Sequence, residues 1–405
     1  MDKIDVRMSQ LIYTWGVGSV VPLPNGASGI IAGLDKWDNS DPNFQIHDDR
    51  LAKRLNLKGF KMPPYYVEKG KGANDSKKTI PTFIFPTWYY CPICHHIEKV
   101  DMGSRNVPPE CSYCKAKNPK SKISMVPERF IVVCPEGHID DLPILQLLHG
   151  HDFDAKGWMD KTSPIHHQHE ITRYSSDKTS SVAGISYRCS CGAKFTMAEV
   201  IGTNKERLAE AYNHKCPGSM PWLGTHKENC SKPVSELKVV QRGGTNVWYP
   251  MTISSLFIPK SADACIAFVQ ANRTKIKKIF DLPDQDTQKE FISEIFGDQF
   301  SYEDIKASYL ALEKEPETTL TESQYRYQEY KCLQQNYGGD GEDLYVSQVS
   351  MNSFSNSIGK LFSKIAKVKR LKETRALVGF SRLTPGVENI QMARQKLSIS
   401  SLDWV

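Results

Sequence analysis

Residues 91–94 have the sequence Cys-Pro-Ile-Cys, and residues 111–114 have the sequence Cys-Ser-Tyr-Cys. These two Cys-x-x-Cys pairs are separated by 16 residues, a spacing typical of zinc ribbons. Each pair directs two thiolates toward one point, and four thiolates complete the tetrahedral coordination that Zn²⁺ accepts. The alternatives are two disulfide bonds or four buried free thiols. The two pairs therefore predict a structural zinc site formed by Cys91, Cys94, Cys111 and Cys114.

The composition of the chain is that of a globular protein with several domains. Its 405 residues are 40% hydrophobic and 24% charged, which is ordinary for such proteins. The N-terminal residues lack the apolar core of a signal peptide, and no apolar run is long enough to cross a bilayer. We therefore expect a cytoplasmic protein without a membrane contact, in which cysteines are ligands or free thiols.

A second set of cysteines predicts another structural zinc site. The set consists of Cys189, Cys191, Cys216 and Cys230. The first two form a tight Cys-x-Cys pair, and the others follow after irregular gaps of 24 and 13 residues. Four ligands within one short region still favour a bound metal. The alternative is that these thiols are buried and unpaired, as we expect for Cys265 and Cys332.

A polar loop after a predicted buried strand offers candidates for metal-assisted hydrolysis. The strand covers residues 129–134, and a short apolar helix is predicted at residues 142–148. The candidate side chains in the loop are Glu136, His138, Asp140 and Asp141. Because such loops often only cap the next helix, and no partner cluster is identifiable in the sequence, we expect a structural role. Alternatively, Cys134 and His138 share a metal whose other two ligands the sequence does not identify.

Two common catalytic motifs are absent from the sequence. The chain has no Gly-x-x-x-x-Gly-Lys-Ser/Thr loop and no Gly-x-Ser-x-Gly elbow, so we expect no ATPase activity and no enzyme. His166, His167 and His169 are expected to be isolated surface histidines. One alternative is a metal-dependent nuclease of the His-Asn-His type, because His95 and His96 follow Cys94. The 16 residues between the Cys pairs leave little room for the catalytic ββα element of such a nuclease.

The C-terminal third combines an acidic and a basic segment. Residues 281–343 contain 16 Asp/Glu and 5 Lys/Arg, whereas residues 355–382 contain 8 Lys/Arg and one Glu. Apolar spacing predicts acidic helices and then one basic amphipathic helix. Its cations either contact DNA phosphates or neutralise the acidic helices. The candidate DNA-binding residues are Lys360, Lys364, Lys367, Lys369, Arg370, Lys372 and Arg375.

Together, these patterns predict an α+β protein with several domains. We expect a β-rich region at residues 1–86 and a four-cysteine zinc ribbon at residues 87–128. A mixed α/β region with the second zinc site is expected at residues 129–260, and a helical region at residues 261–405.

Sequence stretches along nearly the whole chain also carry a family resemblance. They are Arg7-Met8-Ser9-Gln10-Leu11-Ile12 with Gly16-Val17-Gly18, Ala32-Gly33-Leu34-Asp35, Arg129-Phe130, Cys134-Pro135-Glu136-Gly137-His138-Ile139-Asp140-Asp141, Pro221-Trp222-Leu223, Gln241-Arg242-Gly243-Gly244-Thr245-Asn246-Val247, Pro259 and Arg375-Ala376-Leu377-Val378-Gly379-Phe380. In these stretches the chain resembles the DrmB family, components of the DISARM anti-phage defence systems of bacteria.

The resemblance implies a non-catalytic zinc-binding protein that works with a separate helicase subunit on DNA. On that basis we expect zinc as the cofactor, and a role in holding phage DNA for the complex. A scaffold that contacts only proteins is a further alternative. Because the family usually runs considerably further, we expect the last domain to be incomplete, or to be completed by a separate polypeptide.

Overall fold

A computed structural model of the chain has the α+β character that the sequence predicts. It describes residues 6–38, 42–64, 79–175, 182–201, 206–258, 264–297, 300–313, 321–334, 336–339, 342–354, 361–386 and 390–405. Lys360 and Pro259, which the sequence singles out, lie outside the described residues. Among the described helices, none combines the length and the apolar character needed to cross a membrane.

The longest described α-helices lie between residues 264 and 333. The described helices are Gln10–Tyr13 (α1), Asp49–Leu55 (α2), Ser112–Lys117 (α3), Ile144–His149 (α4), Ala155–Met159 (α5), Pro164–Gln168 (α6), Met197–Ile201 (α7), Glu206–Ala211 (α8), Ala264–Ala271 (α9), Arg273–Phe280 (α10), Gln285–Phe296 (α11), Tyr302–Glu313 (α12), Glu322–Leu333 (α13) and Ile390–Gln395 (α14). Helices α11 to α13 confirm the predicted acidic helices. Helix α13 begins at a capping box. In it, the side chains of Thr321 and Gln324 each accept a hydrogen bond from the backbone N–H of the other residue.

The strands are short and form several small sheets. The described strands are Val20–Pro22 (β1), Ser28–Ile31 (β2), Gln45–Ile46 (β3), Phe60–Lys61 (β4), Thr82–Ile84 (β5), Trp88–Tyr90 (β6), Ile97–Lys99 (β7), Val126–Pro127 (β8), Phe130–Val133 (β9), Ile139–Asp141 (β10), Ile171–Ser175 (β11), Ile185–Cys189 (β12), Lys194–Thr196 (β13), Lys238–Gln241 (β14), Tyr249–Leu256 (β15), Leu344–Gln348 (β16), Ala366–Leu371 (β17) and Glu373–Ser381 (β18). The three-stranded sheets have the orders β1-β2-β5, β7-β6-β8, β10-β9-β14 and β11-β12-β13. The remaining sheets are the pairs β3-β4, β15-β18 and β16-β17.

The chain divides into two compact units. The larger contains Met1–His47, Gly59–Ile253 and Ala376–Val405, and the smaller contains Asp48–Lys58 and Ser254–Arg375. Each unit therefore combines segments that are distant in sequence. The four regions that the sequence predicts stay a prediction.

Strand β9 lies at the centre of one sheet of the larger unit, between β10 and β14. Its four side chains are at most 2% exposed. Because side chains alternate along a strand, Phe130 and Val132 pack in one apolar cluster, whereas Ile131 and Val133 pack in another. A strand that is buried on both faces shows a continuous apolar run. This packing confirms the predicted buried strand and places the polar loop directly after it.

The side chain of Arg382 holds the polar loop after β9 in place. Its side chain is 1% exposed and donates hydrogen bonds to three backbone carbonyl oxygens, those of Gly137 at 2.7 Å, Val247 at 2.7 Å and Gly18 at 2.8 Å. The guanidinium group also lies over the ring of Trp222, at 5.1 Å from its centroid. A buried cation is tolerated when its donors are paired, so Arg382 ties three loops of the larger unit together.

In the smaller unit, arginines of α2 contact the acidic helix α13. The guanidinium groups of Arg50 and Arg54 lie 3.6 Å and 4.3 Å from the centroid of the Tyr325 ring. Arg50 forms an ion pair with Glu329 at 2.9 Å, and Arg54 pairs with Glu322. Arginines of α2 therefore offset the negative charge of this helix.

The basic segment forms a strand, so the prediction of a basic amphipathic helix is wrong over β17. Strand β17 pairs antiparallel with β16, and every β17 residue after Ala366 is exposed. The apolar residues that predicted a buried helix face are also exposed, with Val368 at 41% and Leu371 at 40%. Apolar spacing within the segment suggested a helix, but the backbone is paired by a strand about 20 residues away.

Candidate metal centres

Three groups of cysteine and histidine side chains converge in the larger unit. Cluster A consists of Cys91, Cys94, Cys111 and Cys114; cluster B consists of Cys134, His138, Cys216 and Cys230; cluster C consists of His149, His169, Cys189 and Cys191. In each cluster the four ligand atoms lie within 4.8 Å of one another. None of these cysteines forms a disulfide bond. All three arrangements are compatible with a bound metal ion.

Cluster A is built from two similar turns, one after β6 and one at the start of α3. In each turn the second cysteine directs its backbone N–H to the thiol of the first, from Cys94 to Cys91 and from Cys114 to Cys111, both at 3.5 Å. Between the turns, the Sγ atoms of Cys91 and Cys114 are 3.8 Å apart, and those of Cys94 and Cys111 are 3.5 Å apart. Thiolates bound at about 2.3 Å around a tetrahedral ion would be about 3.8 Å apart. The thiols therefore have the spacing of a closed tetrahedral site.

The surroundings of cluster A favour a structural site. Cys91 and Cys111 are at most 1% exposed, and they pack with the buried side chains of Tyr89 and Met125. Burial raises the pKa of the Cys94 and Cys111 thiols to about 11, so a metal must displace protons to bind. Four protein ligands leave no coordination position for water, and such sites stabilise folds.

Cluster B joins a tight turn to a distant loop. After β9 the chain turns at Gly137, which has a φ of 92°, and it returns along β10. The backbone N–H of Cys134 donates to the carbonyl of His138 at 3.0 Å, which brings the two side chains together. The Cys134 Sγ atom lies 3.9 Å from that of Cys230, and the Cys216 Sγ atom lies 3.7 Å from His138 Nδ1. All four ligands are buried.

Glu228 orients the histidine of cluster B. Its Oε1 atom lies 2.5 Å from His138 Nε2, on the side of the ring opposite to Nδ1. A carboxylate at Nε2 favours the tautomer that carries the proton there. The Nδ1 atom is then unprotonated and faces the three thiols, as metal ligation requires. Cluster B thus has a ligand set of three cysteines and one histidine, with a carboxylate supporting the histidine.

The loop that carries Cys216 and Cys230 depends on one glycine. Gly218 has a φ of 64°, and its carbonyl accepts from the N–H of Glu228 at 3.0 Å. A Cβ atom at residue 218 would lie 1.8 Å from the carbonyl oxygen of Glu228. Only glycine therefore allows the two sides of the loop to approach each other this closely.

The predicted second zinc site requires correction, because the structure divides its four cysteines between two clusters. Cys189 and Cys191 lie at the end of β12 in cluster C, whereas Cys216 and Cys230 join the turn after β9 in cluster B. Proximity in sequence suggested one site, but Cys189 ends a strand of the sheet β11-β12-β13, whereas Cys216 and Cys230 lie in the segment between α8 and β14. The sequence predicted two metal sites, whereas the structure contains three candidate sites. Cys265 and Cys332 are buried and lie outside these clusters.

The histidine ligands were only partly visible in the sequence. The alternative in which Cys134 and His138 share a metal is the one that the geometry supports, and the Cys-x-x-x-His spacing was its signal. The prediction that His169 is isolated is wrong, because it lies in cluster C. His149 had no sequence signal, since its partners lie 20 residues or more away along the chain.

The carboxylates of the polar loop do not converge on one point. Asp141 accepts a hydrogen bond from the N–H of Thr87 at 2.8 Å, and Asp140 accepts one from the hydroxyl of Ser219 at 3.2 Å. Glu136 forms an ion pair at 3.4 Å with a surface lysine. Burial, followed by the charge of Asp141, raises the pKa of Asp140 to about 6. These contacts give each carboxylate a structural partner.

The segment between the two Cys pairs of cluster A is compact. Residues 95–110 are all described, and they contain the strand β7 and no helix. The His96 ring stacks on Tyr113, with ring centroids 5.0 Å apart, and the His95 ring contacts Tyr174 at 5.1 Å. Both histidines thus pack against tyrosines beside the cluster.

The candidate DNA-binding residues in the described part of the chain are exposed cations of the smaller unit and its boundary. Lys372 forms an ion pair with Asp343 at 2.8 Å, and Arg375 pairs with Glu373 at 2.7 Å. The Lys369 ammonium group contacts the Tyr345 hydroxyl at 2.8 Å. The remaining candidates in this part of the chain are Lys364, Lys367 and Arg370.

Comparison with known proteins identifies the family. Residues 7–249 match a family described as a domain of unknown function, DUF8724. This match covers more than half of the chain and includes all the ligands of the three clusters. The chain belongs to this family.

A curated relative extends the similarity beyond this family's segment. The chain is 25% identical over 377 residues to a protein of Bacillus paralicheniformis (strain ATCC 9945a / NCIMB 11709 / CD-2) described as "DISARM protein DrmB". The aligned region covers 87% of this chain and 59% of the relative. The chain therefore spans less than two thirds of the length of that protein.

Proposed function

We propose that this chain is a non-catalytic zinc-binding subunit of a bacterial anti-phage defence complex. In this proposal it partners a DNA helicase and helps the complex to hold DNA. The defence role is supported by similarity to a DISARM protein over 87% of the chain. In this proposal ATP hydrolysis belongs to the helicase, because this sequence has no Gly-x-x-x-x-Gly-Lys-Ser/Thr loop.

Zinc is the proposed metal because of the ligands in clusters A and B. Cluster A offers four thiolates, and cluster B offers three thiolates and one imidazole. Soft sulfur ligands in tetrahedral arrangement favour zinc over magnesium or calcium, which prefer oxygen. Both sites are closed by protein ligands, so that zinc would stabilise the fold and would activate no water molecule.

The exposed basic strand β17 is the observation that carries the DNA part of the proposal. Lys367, Lys369 and Arg370 are all exposed on this strand. The carboxylates of Glu322 and Glu329 on helix α13 are paired with arginines. Exposed lysine and arginine side chains can contact phosphates, and such contacts bind DNA with little regard to sequence.

Two alternatives make different predictions. A nuclease of the His-Asn-His type would need a ββα element, and residues 95–110 contain one strand without a helix. A scaffold that contacts only proteins would bind the helicase but would not change the affinity of the complex for DNA. The DNA-holding proposal is favoured over the scaffold by the exposed cations of β17.

Co-expression with the products of neighbouring genes tests the proposal. We expect an affinity-tagged chain to retain a helicase subunit, and we expect the purified complex to bind duplex DNA more weakly as salt increases. A DNA cleavage assay with added divalent metal separates the nuclease alternative, for which cleavage by the isolated chain is required. The proposal would be contradicted if the tagged chain did not retain a helicase. It would also be contradicted if the complex bound DNA with the same affinity as the helicase alone.

A further inference from the structure

Cluster C lies where three elements of the larger unit end. Helix α4 ends at His149, α6 ends one residue before His169, and β12 ends at Cys189. The turn that follows β12 has Gly192 at a φ of 98°, and the N–H of Cys189 donates to the carbonyl of Ala193 at 2.9 Å. This tight turn holds Cys189 and Cys191 on the same side.

Ser190, between the two cysteines, fastens the segment that carries His169. Its N–H donates to the carbonyl of Glu170 at 2.9 Å. Its hydroxyl accepts from the N–H of Glu170 at 3.0 Å and donates to the carbonyl of Gln168 at 2.9 Å. Gln168 and Glu170, on either side of His169, are therefore hydrogen-bonded to Ser190. These bonds join the segment of His169 to the turn that carries both thiols.

The imidazole rings are oriented with their Nδ1 atoms toward the thiols. The Nδ1 atom of His169 lies 3.4 Å from Cys189 Sγ, and that of His149 lies 3.9 Å from Cys191 Sγ. The His149 ring stacks on Phe153, with centroids 4.4 Å apart, and it meets the His169 ring edge-on at 4.6 Å. Four soft or borderline ligands thus face one point.

The other nitrogen of His149 lacks the support that Glu228 gives to His138 in cluster B. Its Nε2 atom is buried and makes no hydrogen bond within the described part of the chain. A ligating histidine usually donates its other ring N–H to a carboxylate or carbonyl group, and the lack of that partner lowers metal affinity. A metal at Nδ1 of His149 would therefore be held less tightly than one at His138. Two thiolates and two imidazoles in a tetrahedral set are typical zinc ligands.

Cluster C differs from the other clusters in its exposure. All four ligands of cluster B are buried, whereas in cluster C Cys191 is exposed and both histidines are only partly buried. We propose that cluster C is a third zinc site, and that its ion exchanges with solution faster than the ions of clusters A and B. Exposed ligands are reached by water and by competing chelators, so one of three ions should leave first.

Zinc release from the full chain to a chromophoric chelator tests this proposal. We expect three zinc ions per chain after denaturation, and in the native protein one ion released at least ~10-fold faster than the other two, the order of effect that ligand surroundings have on metal sites. His149→Ala and His169→Ala should each remove the fast phase and lower the total by one ion. His167→Ala is the matched control, because this exposed histidine of α6 lies outside the three clusters.

A second variant covers the case in which the histidine variants do not fold. Cys191→Ser changes an exposed side chain, and it should also remove the fast phase while two ions are retained. The proposal is overturned if the wild-type chain holds only two ions, or if the fast phase persists in a folded variant of cluster C. Because the assay measures zinc alone, its outcome is independent of whether the chain binds DNA or a helicase.

Discussion

The contact between Glu228 and His138 gives a prediction that separates metal ligation from ordinary packing. Replacing Glu228 with Ala removes the acceptor that lies 2.5 Å from His138 Nε2. The ligand itself remains, but its tautomer and ring orientation are no longer fixed. Loss of such a supporting carboxylate lowers metal affinity by roughly 10- to 100-fold, which corresponds to about 1.4–2.7 kcal/mol.

The chain offers a matched control for this change. The side chains of Glu228 and Glu136 are both 46% exposed. Glu136 pairs with Lys232, at the surface beside the same cluster. An exposed ion pair contributes only about 0–1 kcal/mol to stability. Glu136→Ala should therefore leave metal affinity unchanged, and any general effect of removing a nearby carboxylate would appear in both variants.

The assay is the zinc content of the chain in a series of buffered free-zinc concentrations. Each site that binds zinc adds a step to the curve, and Glu228→Ala should move one step toward higher free zinc. Glu228→Gln keeps an acceptor without the charge, so its step should lie between those of the wild-type chain and the Ala variant. Superimposable curves for the wild-type chain and Glu228→Ala would refute the assignment of His138 as a ligand.

Three further predictions concern the fold and the absence of catalysis. Gly218→Ala places a Cβ atom 1.8 Å from a carbonyl oxygen and should destabilise the chain by about 1–3 kcal/mol, measured by thermal melting; Gly243→Ala, which has open space, should not. Cys91→Ser should lower zinc content and cause aggregation, since structural zinc contributes to folding; a soluble variant with unchanged zinc would contradict this. The purified chain should not hydrolyse ATP, and turnover that survives further purification without the helicase would refute that expectation.

Local patterns were sufficient for part of the structure. The two Cys-x-x-Cys pairs predicted cluster A because each turn is built from four consecutive residues, and the two turns differ little. The buried strand β9 was predicted because burial on both faces requires a continuous apolar run. In both cases the determining residues are neighbours in sequence.

The remaining features depend on contacts between distant residues. Cys134 and Cys230 are 96 positions apart, and no spacing rule links them. Cys189 and Cys216 are closer in sequence, but Cys189 ends strand β12, Cys216 lies in the segment after α8, and the two belong to different clusters. Strand β17 likewise acquires its conformation from pairing with β16. Periodicity within the segment could not reveal that partner.

The salt dependence of DNA binding by the helicase complex tests the central claim most directly. The perturbation is the combined change of Lys364, Lys367 and Arg370 to Glu. Each phosphate contact contributes about 0.9 to the slope of log affinity against log salt concentration. If each of the three cations contacts one phosphate, the slope should therefore fall by about 2.7, with weaker binding and an unchanged melting temperature. The matched control reverses the exposed charges of Lys275, Lys277 and Lys278 on α10.

We predict that the control complex keeps the slope and affinity of the wild-type complex, whereas the triple variant of the basic segment has a smaller slope and a lower affinity. An unchanged slope for the triple variant, together with a lower melting temperature, would show that these cations stabilise the protein and do not hold DNA.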